Sequence, residues 1–259
     1  MTHPVAAHRL PLRVTYLSPA HGRVWRQCRH RGTLLTQATL ALGALLAATG
    51  IRDARAMPQG PVLDSGTLVI SRDGQVVGRE EFTVRRGNSN GPDGYTITSA
   101  VYYPPSSPRV TFSPVVELGP DSLPVQVQFD IYGDGQSRVY ARFGPRRITL
   151  RAVRPSGESA RELPSTGREI VADDSVFALY AVPPARGARQ AIFTRSGARE
   201  PVELVDRGRE RTTLQGVPRE LRHQVLRVGT KEHHLWYDAE GHLMKVEVPA
   251  IGLTAERGS

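Results

Sequence analysis

The chain has 259 residues, with 34 Lys or Arg against 25 Asp or Glu and a formal net charge of +9 at pH 7. Residues 1–56 contain eight of the arginines and one of the acidic residues, so the remainder holds 26 basic and 24 acidic residues and a net charge of +2. That balance argues against a nucleic-acid partner, which needs a basic stripe on the folded domain. The single cysteine, Cys28, leaves the segment after residue 56 without a disulfide, a thiol nucleophile or a thiolate ligand.

The N-terminal region has the layout of an export signal. Several arginines precede a largely apolar run over residues 34–51, and Ala54 and Ala56 then form the A-x-A pattern that signal peptidase accepts. We predict a signal peptide over residues 1–56, cleavage between Ala56 and Met57, a linker over residues 57–65, and a periplasmic or secreted mature chain.

Two alternatives to cleavage stay open. In the first, the leader is not cleaved and anchors the chain in the membrane. In the second, the true start codon lies further downstream, so that the basic region before the apolar run is shorter than the sequence suggests. Thr36, Gln37 and Thr39 interrupt the apolar run, which is short for a stable span of about 20 apolar residues. Cleavage is therefore the favoured interpretation.

From Gly66 onward, runs of alternating apolar and polar residues are separated by turn signals. The first hairpin joins residues 68–72 to 75–84 through Asp73-Gly74, a dipeptide that favours a tight turn with positive φ. A later meander has the strands Val125–Tyr132, Ser137–Phe143 and Arg147–Val153. Its apolar residues share one face, as expected of an antiparallel sheet that is wet on the other side.

Arginines 138, 142, 147 and 151 occupy the polar face of this meander. They could form an anion-binding face. A solvated outer face is the favoured interpretation, because Asp130, Glu158 and Glu162 lie near enough in sequence to neutralise them.

One apolar segment, Val176–Val182, breaks the strand pattern. It follows Asp173-Asp174-Ser175 and precedes Pro183-Pro184. An aspartate N-cap and a closing proline pair predict a short buried helix of about two turns, with another strand as the alternative. The two aspartates could instead form a carboxylate pair for acid–base chemistry or cation binding, but capping is favoured. With the remaining strand-like runs, the pattern predicts one all-β domain over residues 66–257 with one short helix.

The stretch Val62–Thr67 (VLDSGT) resembles the aspartic-protease signature, in which two aspartates share one proton. No second Asp-Ser/Thr-Gly occurs in the chain, so Asp64 could act only in a homodimer. The favoured interpretation is a polar turn before the first strand, because so short a pattern recurs by chance.

Four histidines follow residue 56, all in the last quarter of the chain: His223, His233, His234 and His242. With nearby carboxylates they could form a zinc site. However, His233 and His234 are adjacent and point to opposite faces of a strand. A turn at Gly229-Thr230 would place Leu226 opposite His233 and Trp236 opposite His223. We therefore expect exposed histidines that do not converge, and no metal site.

The sequence contains no H-E-x-x-H or G-x-x-x-x-G-K-S/T pattern, and its G-x-S-x-G match at residues 87–91 (GNSNG) lies in a polar loop and not at a strand-to-helix elbow. We therefore predict no catalytic residue and no cofactor.

Three stretches, Gly66–Val84, Ala172–Val182 and Leu235–Arg257, together resemble exported bacterial domains of unknown function whose fold is similar to the Lol-type lipoprotein carriers. Within them, Asp174–Val182 matches an acidic residue that opens a short apolar segment, and Trp236–Leu243 matches a final Trp-Tyr-Asp-x-x-Gly-x-Leu hairpin. The resemblance implies a large antiparallel sheet curved into an incompletely closed barrel, with short helices plugging an apolar concavity. It implies no catalytic residue.

We therefore expect a non-enzymatic exported protein that binds a lipid, acyl chain or glycolipid, or an envelope protein partner. A curved sheet that does not close leaves an apolar face that one small helix covers only partly. The predicted lining is Phe129, Ile131, Val139, Phe143, Ile148 and Leu150, with Phe177 and Tyr180 as the lid. The same residues could form a dry core in a scaffold protein without a ligand. The alternative function is a hydrolase that uses Asp64.

Overall fold

The computed structural model describes residues 60–133 and 135–258. The predicted leader and its cleavage site at Ala54, Ala56 and Met57 lie outside the described residues. Among the described residues, no helix is long and apolar enough to cross a membrane.

The described chain is almost entirely β-structure, as predicted. Its strands are β1 (Val62–Arg72), β2 (Gln75–Asn88), β3 (Gly91–Tyr103), β4 (Val110–Leu118), β5 (Pro124–Tyr132), β6 (Ser137–Phe143), β7 (Arg147–Arg154), β8 (Gly157–Pro164), β9 (Glu169–Ala172), β10 (Gln190–Phe193), β11 (Ala198–Leu214), β12 (Val217–Val228), β13 (Lys231–Tyr237), β14 (Leu243–Val248) and β15 (Leu253–Arg257). Two 3-10 turns, Ala178–Tyr180 and Pro249–Ile251, complete the regular structure. Because β1 begins at Val62, residues 62–65 belong to the first strand although the sequence predicts them in a linker.

All of these strands form one sheet, which runs from β8 back to β1, continues through β15, and ends at β9. The first and last strands pair with each other, while the two edges, β8 and β9, do not pair. The predicted large, incompletely closed sheet is therefore confirmed. One pair departs from the antiparallel pattern: β9 and β10 run parallel, which requires a long crossover between them.

The β5–β6–β7 meander has the predicted two faces. Phe129 lies opposite Val139, and Ala141 lies opposite Leu150, so these apolar side chains pack on the inner face. Arginines on the outer face pair with acidic neighbours: Arg138 with Asp130, Arg147 with Glu162, and Arg151 with Glu158. The predicted pairing is confirmed for these three arginines, whereas Arg142 has no ion pair among the described residues.

The turn between β1 and β2 also forms as predicted. Asp73 has φ 48° and Gly74 has φ 80°, and Arg72 pairs directly with Gln75. Positive φ at both turn residues matches the twist of the two strands, which explains the Asp-Gly dipeptide.

The hairpin of β11 and β12 is longer than its neighbour β13, and its distal half folds back over the outer face of the sheet. Gly208, at a break in register with β12, has φ 79°. Beyond it, the Thr213 carbonyl accepts a hydrogen bond from Lys245 Nζ at 2.9 Å, and the Gln215 amide donates to Glu256 Oε2 at 3.1 Å. This arm, residues 209–221, covers part of the outer surface of β13–β15.

Candidate functional site

The crossover between β9 and β10 begins with a buried segment, residues 173–182, which we call the plug. Inward-facing side chains from several strands contact it. The hydroxyl of Tyr103 on β3 donates to the Ser175 carbonyl at 2.9 Å, and the hydroxyl of Tyr237 on β13 donates to the Tyr180 carbonyl at 2.9 Å. The plug therefore lies inside the barrel and is held by its walls.

The structure corrects the predicted helix. Only Ala178–Tyr180 forms a turn, of 3-10 type, and no side chain caps it. The predicted caps bind elsewhere: Asp173 accepts two bonds from Arg195, at 2.6 and 2.7 Å, and Asp174 pairs with Lys231 at 2.6 Å. The barrel wall supplies hydrogen bonds that a helix would otherwise supply internally, so the plug remains irregular.

Two titratable side chains from different strands hold the plug. Glu80 on β2 is fully buried and accepts hydrogen bonds from Phe177 N at 2.7 Å and from the Ser99 hydroxyl at 2.8 Å. Burial raises the pKa of Glu80 to about 7, although these donors oppose the rise. On β13, His233 Nδ1 lies 3.0 Å from the Tyr180 hydroxyl, and burial lowers the pKa of His233 to about 4.

The predicted lid residues fill the barrel. Phe177 and Tyr180 are 0% and 1% exposed and pack in the same core as Phe129 and Ile148. The space left beside Tyr180 has a volume of about 20 Å³. That volume holds roughly one water molecule and no acyl chain.

A larger cavity lies at the unclosed side of the sheet, between the inner face of β6–β8 and the turn after β10. We call it the seam cavity. Its volume is about 250 Å³. Val139, Leu150 and Ala152 form an apolar floor, while Arg154, Arg161 and Thr194 contribute polar groups. The geometry suits a small molecule with both an apolar and a polar part.

Arg195, in the turn between β10 and β11, also lies beside this cavity, but its guanidinium is already paired with a carboxylate. Arg195 binds Asp173 through two hydrogen bonds and lies over the rings of Phe112 and Phe129, at 4.7 and 5.6 Å. Burial raises the pKa of Asp173, while its bonds from Arg195 act in the other direction. Arg195 therefore ties the plug to the cavity wall.

The predicted lining residues are thus divided among several places. Val139 and Leu150 line the seam cavity, Phe129 and Ile148 belong to the closed core, and Ile131 and Phe143 are half-buried against its edge. The arginines of the cavity were not predicted from the sequence, because the predicted strand ended at Val153 and β8 was not predicted. A turn at Pro155–Gly157 would have predicted that strand, and strand alternation would then have placed Arg154 and Arg161 on the inner face.

Two of the histidines converge, which corrects the sequence expectation. The predicted register is confirmed, with His223 opposite Trp236. His234 is a diagonal neighbour on the same face, and its Nδ1 lies 3.0 Å from Nε2 of His223. His223 is 6% exposed and His233 is fully buried, so neither is the exposed histidine expected from the sequence. The arm over β13–β15 and the plug, respectively, account for their burial.

A separate carboxylate and imidazole group lies in the β13–β14 turn. Ligand atoms of Asp238, Glu240 and His242 lie within 4.8 Å of one another. Asp238 already accepts a hydrogen bond from His242 N at 2.7 Å and lies 3.0 Å from its Nδ1, so the turn's own hydrogen bonds explain the grouping.

Asp64 lies on β1 and binds Arg257 of β15. The Arg257 guanidinium donates to Oδ1 at 2.6 Å and to Oδ2 at 3.1 Å. The guanidinium thus contacts both oxygens, whereas a protease dyad needs a second carboxylate beside the first. This arrangement gives the hydrolase hypothesis no support.

No protein-family model and no curated protein matches the chain. Among solved structures, the chain is similar to a β-barrel-like protein of the domain of unknown function DUF1849 from Brucella abortus. The two sequences are 8% identical, the alignment covers 75% of this chain and 95% of that chain, and the TM-score is 0.48.

Proposed function

We propose that this chain is an exported, non-enzymatic binding domain that holds the apolar part of an amphiphile in the seam cavity. The observation that carries the proposal is the contrast between the filled barrel and the seam cavity. The plug fills the barrel, whereas the seam cavity keeps about 250 Å³ above an apolar floor. An acyl chain is the simplest apolar group for such a space.

Size limits the ligand. Ligand pockets commonly have volumes of about 300–1,000 Å³, so this cavity is smaller than a site for a whole drug-sized molecule. At about 30 Å³ for a water-sized group, it takes roughly eight such groups. We therefore propose a short acyl chain, or the end of a longer one, rather than a complete glycolipid.

The proposed place of action is the periplasm or the outside of the cell. Its support is the leader-like pattern before residue 57 and the absence of cysteine after it in the sequence. In that compartment the available apolar ligands are envelope lipids and their fragments, and an envelope protein is the alternative partner.

Native mass spectrometry of protein purified from its own envelope tests the proposal. We expect a chain mass with an adduct that organic extraction removes. Ala152→Phe should lose the adduct because the added ring fills the cavity, and Val153→Phe, on the outer face of the same strand, should keep it. A mass equal to the chain alone, with a lipid-free extract, would remove the proposal.

A further inference from the structure

Two arginines enter the seam cavity from the inner face of the sheet, where apolar residues are the rule. Arg154 follows Leu150 and Ala152 in the alternation of β7. Arg161 on β8 lies directly opposite Leu150 and therefore points to the same side. Both side chains therefore lie beside the apolar floor of the cavity.

Among the described residues, neither arginine has an acidic partner. Within residues 60–133 and 135–258, no carboxylate lies within ion-pair distance of Arg154 or Arg161, although Arg138, Arg147 and Arg151 on the outer face all have one. Arg161 donates to the Ser196 carbonyl, which uses one of its five N–H donors. Two positive charges and most of their donors are thus available to a ligand.

A third polar group at the cavity is the hydroxyl of Thr194. Thr194 is 2% exposed, lines the seam cavity, and its hydroxyl has no partner among the described residues. A buried hydroxyl without a partner is uncommon, because its desolvation is then uncompensated. A ligand oxygen in the cavity would satisfy it.

We propose that the seam cavity recognises an acidic head group, so that its ligand is a single-chain carboxylic acid of medium length. This inference rests on the proposed function and adds the ligand class. The acyl chain lies on Val139, Leu150 and Ala152, and the carboxylate accepts hydrogen bonds from Arg154, Arg161 and Thr194. Guanidinium and carboxylate match in geometry and charge, and this pairing gives the stronger class of hydrogen bond.

An inward-pointing arginine on an edge strand can also serve to block edge-to-edge aggregation. That role needs Arg161 but not Arg154 or Thr194. It predicts that replacing Arg161 causes self-association and leaves the preference for acidic ligands unchanged.

The test uses octanoate and octan-1-ol as probes, which share a chain length matched to the cavity and differ in head-group charge. Binding is measured by NMR titration of the purified protein at low and high salt. We expect octanoate to bind at least about 10-fold more tightly than octan-1-ol, with the preference reduced by salt because exposed charges are screened. Arg154→Gln combined with Arg161→Gln should reduce the affinity for octanoate about 10-fold and leave octan-1-ol unchanged.

Two further variants separate the roles. Thr194→Val keeps the shape of the side chain and should weaken octanoate only. Arg142→Gln combined with Arg146→Gln removes the same charge from exposed positions away from the seam cavity and should change neither probe. Equal affinity for octanoate and octan-1-ol would overturn the acidic-ligand inference while the proposed function stands. So would an unchanged preference for octanoate in the variant that combines Arg154→Gln with Arg161→Gln. If neither probe binds and purified protein carries no lipid, the proposed function itself fails.

Discussion

Replacing Glu80 by glutamine should change how the free energy of unfolding depends on pH. Glu80 is fully buried against the plug, and burial raises its pKa from 4.5 to about 7. Between these values the folded protein keeps a proton that the unfolded chain has released. Stability therefore falls as the pH rises through this window, and the loss is complete above about pH 7.

The size of the effect follows from the shift. One pKa unit corresponds to about 1.4 kcal/mol, so ionisation of Glu80 costs about 3 kcal/mol above pH 7 and nothing below its unfolded pKa. His233 acts in the opposite direction, because its pKa falls from 6.5 to about 4 and its contribution is lost as the pH falls through that range. In the wild-type protein the two slopes nearly cancel between about pH 4.5 and 6.5.

Urea unfolding at pH 5 and pH 7 checks this. The glutamine side chain of the Glu80→Gln variant keeps an oxygen acceptor for Phe177 N–H but cannot ionise. Relative to wild type, Glu80→Gln should gain about 2–3 kcal/mol between the two pH values. His233→Gln should show the opposite change, with stability falling as the pH rises. Parallel pH profiles for wild type and Glu80→Gln would show that Glu80 does not keep its proton in the folded protein.

Three other perturbations test separate parts of the account. Phe177→Ala should cost about 3–5 kcal/mol in urea unfolding, because the plug loses a fully buried ring. Arg151→Gln breaks an exposed pair with Glu158 and should leave the urea midpoint unchanged within error, and a large shift would contradict the solvated outer face. Ala56→Phe should cause an uncleaved precursor to accumulate in the membrane fraction on immunoblots, and normal processing of that variant would count against the predicted site.

The meander and the first hairpin could be predicted because their signals are local. Val127, Phe129 and Ile131 alternate with polar residues, and that alternation fixes both the strand and its buried face. The Asp73-Gly74 dipeptide specifies its turn in the same way. Nothing outside these segments is needed to form the pattern.

The plug could not be predicted in the same way, since its conformation depends on distant residues. Asp173 and Asp174 resemble helix caps in sequence, but Arg195 and Lys231 bind them instead. Glu80 lies 97 positions before Phe177, whose amide it binds. Tertiary hydrogen bonds replaced the helical ones, and no local pattern reports them.

The candidate site shows a similar division. Val139 and Leu150 could be placed on an apolar inner face from alternation alone. Arg154 and Arg161 were missed, because the predicted strand ends at Val153 and because β8, solvent-exposed along nearly its whole length, has no apolar stripe to mark it as a strand. The contact between His223 and His234 was also not predicted, because these residues are diagonal neighbours on two adjacent strands.

In the proposed function, an amphiphile lies in the seam cavity and not in the barrel interior. Methyl NMR of isotope-labelled protein titrated with octanoate locates the ligand directly. We predict shifts at the methyl groups of Val139, Leu150 and Ala152, with Val176 and Leu179 in the plug unchanged. Shifts centred on Val176 and Leu179 would show that the ligand displaces the plug. Either that result, or saturating octanoate without shifts at Val139, Leu150 and Ala152, would contradict binding in the seam cavity.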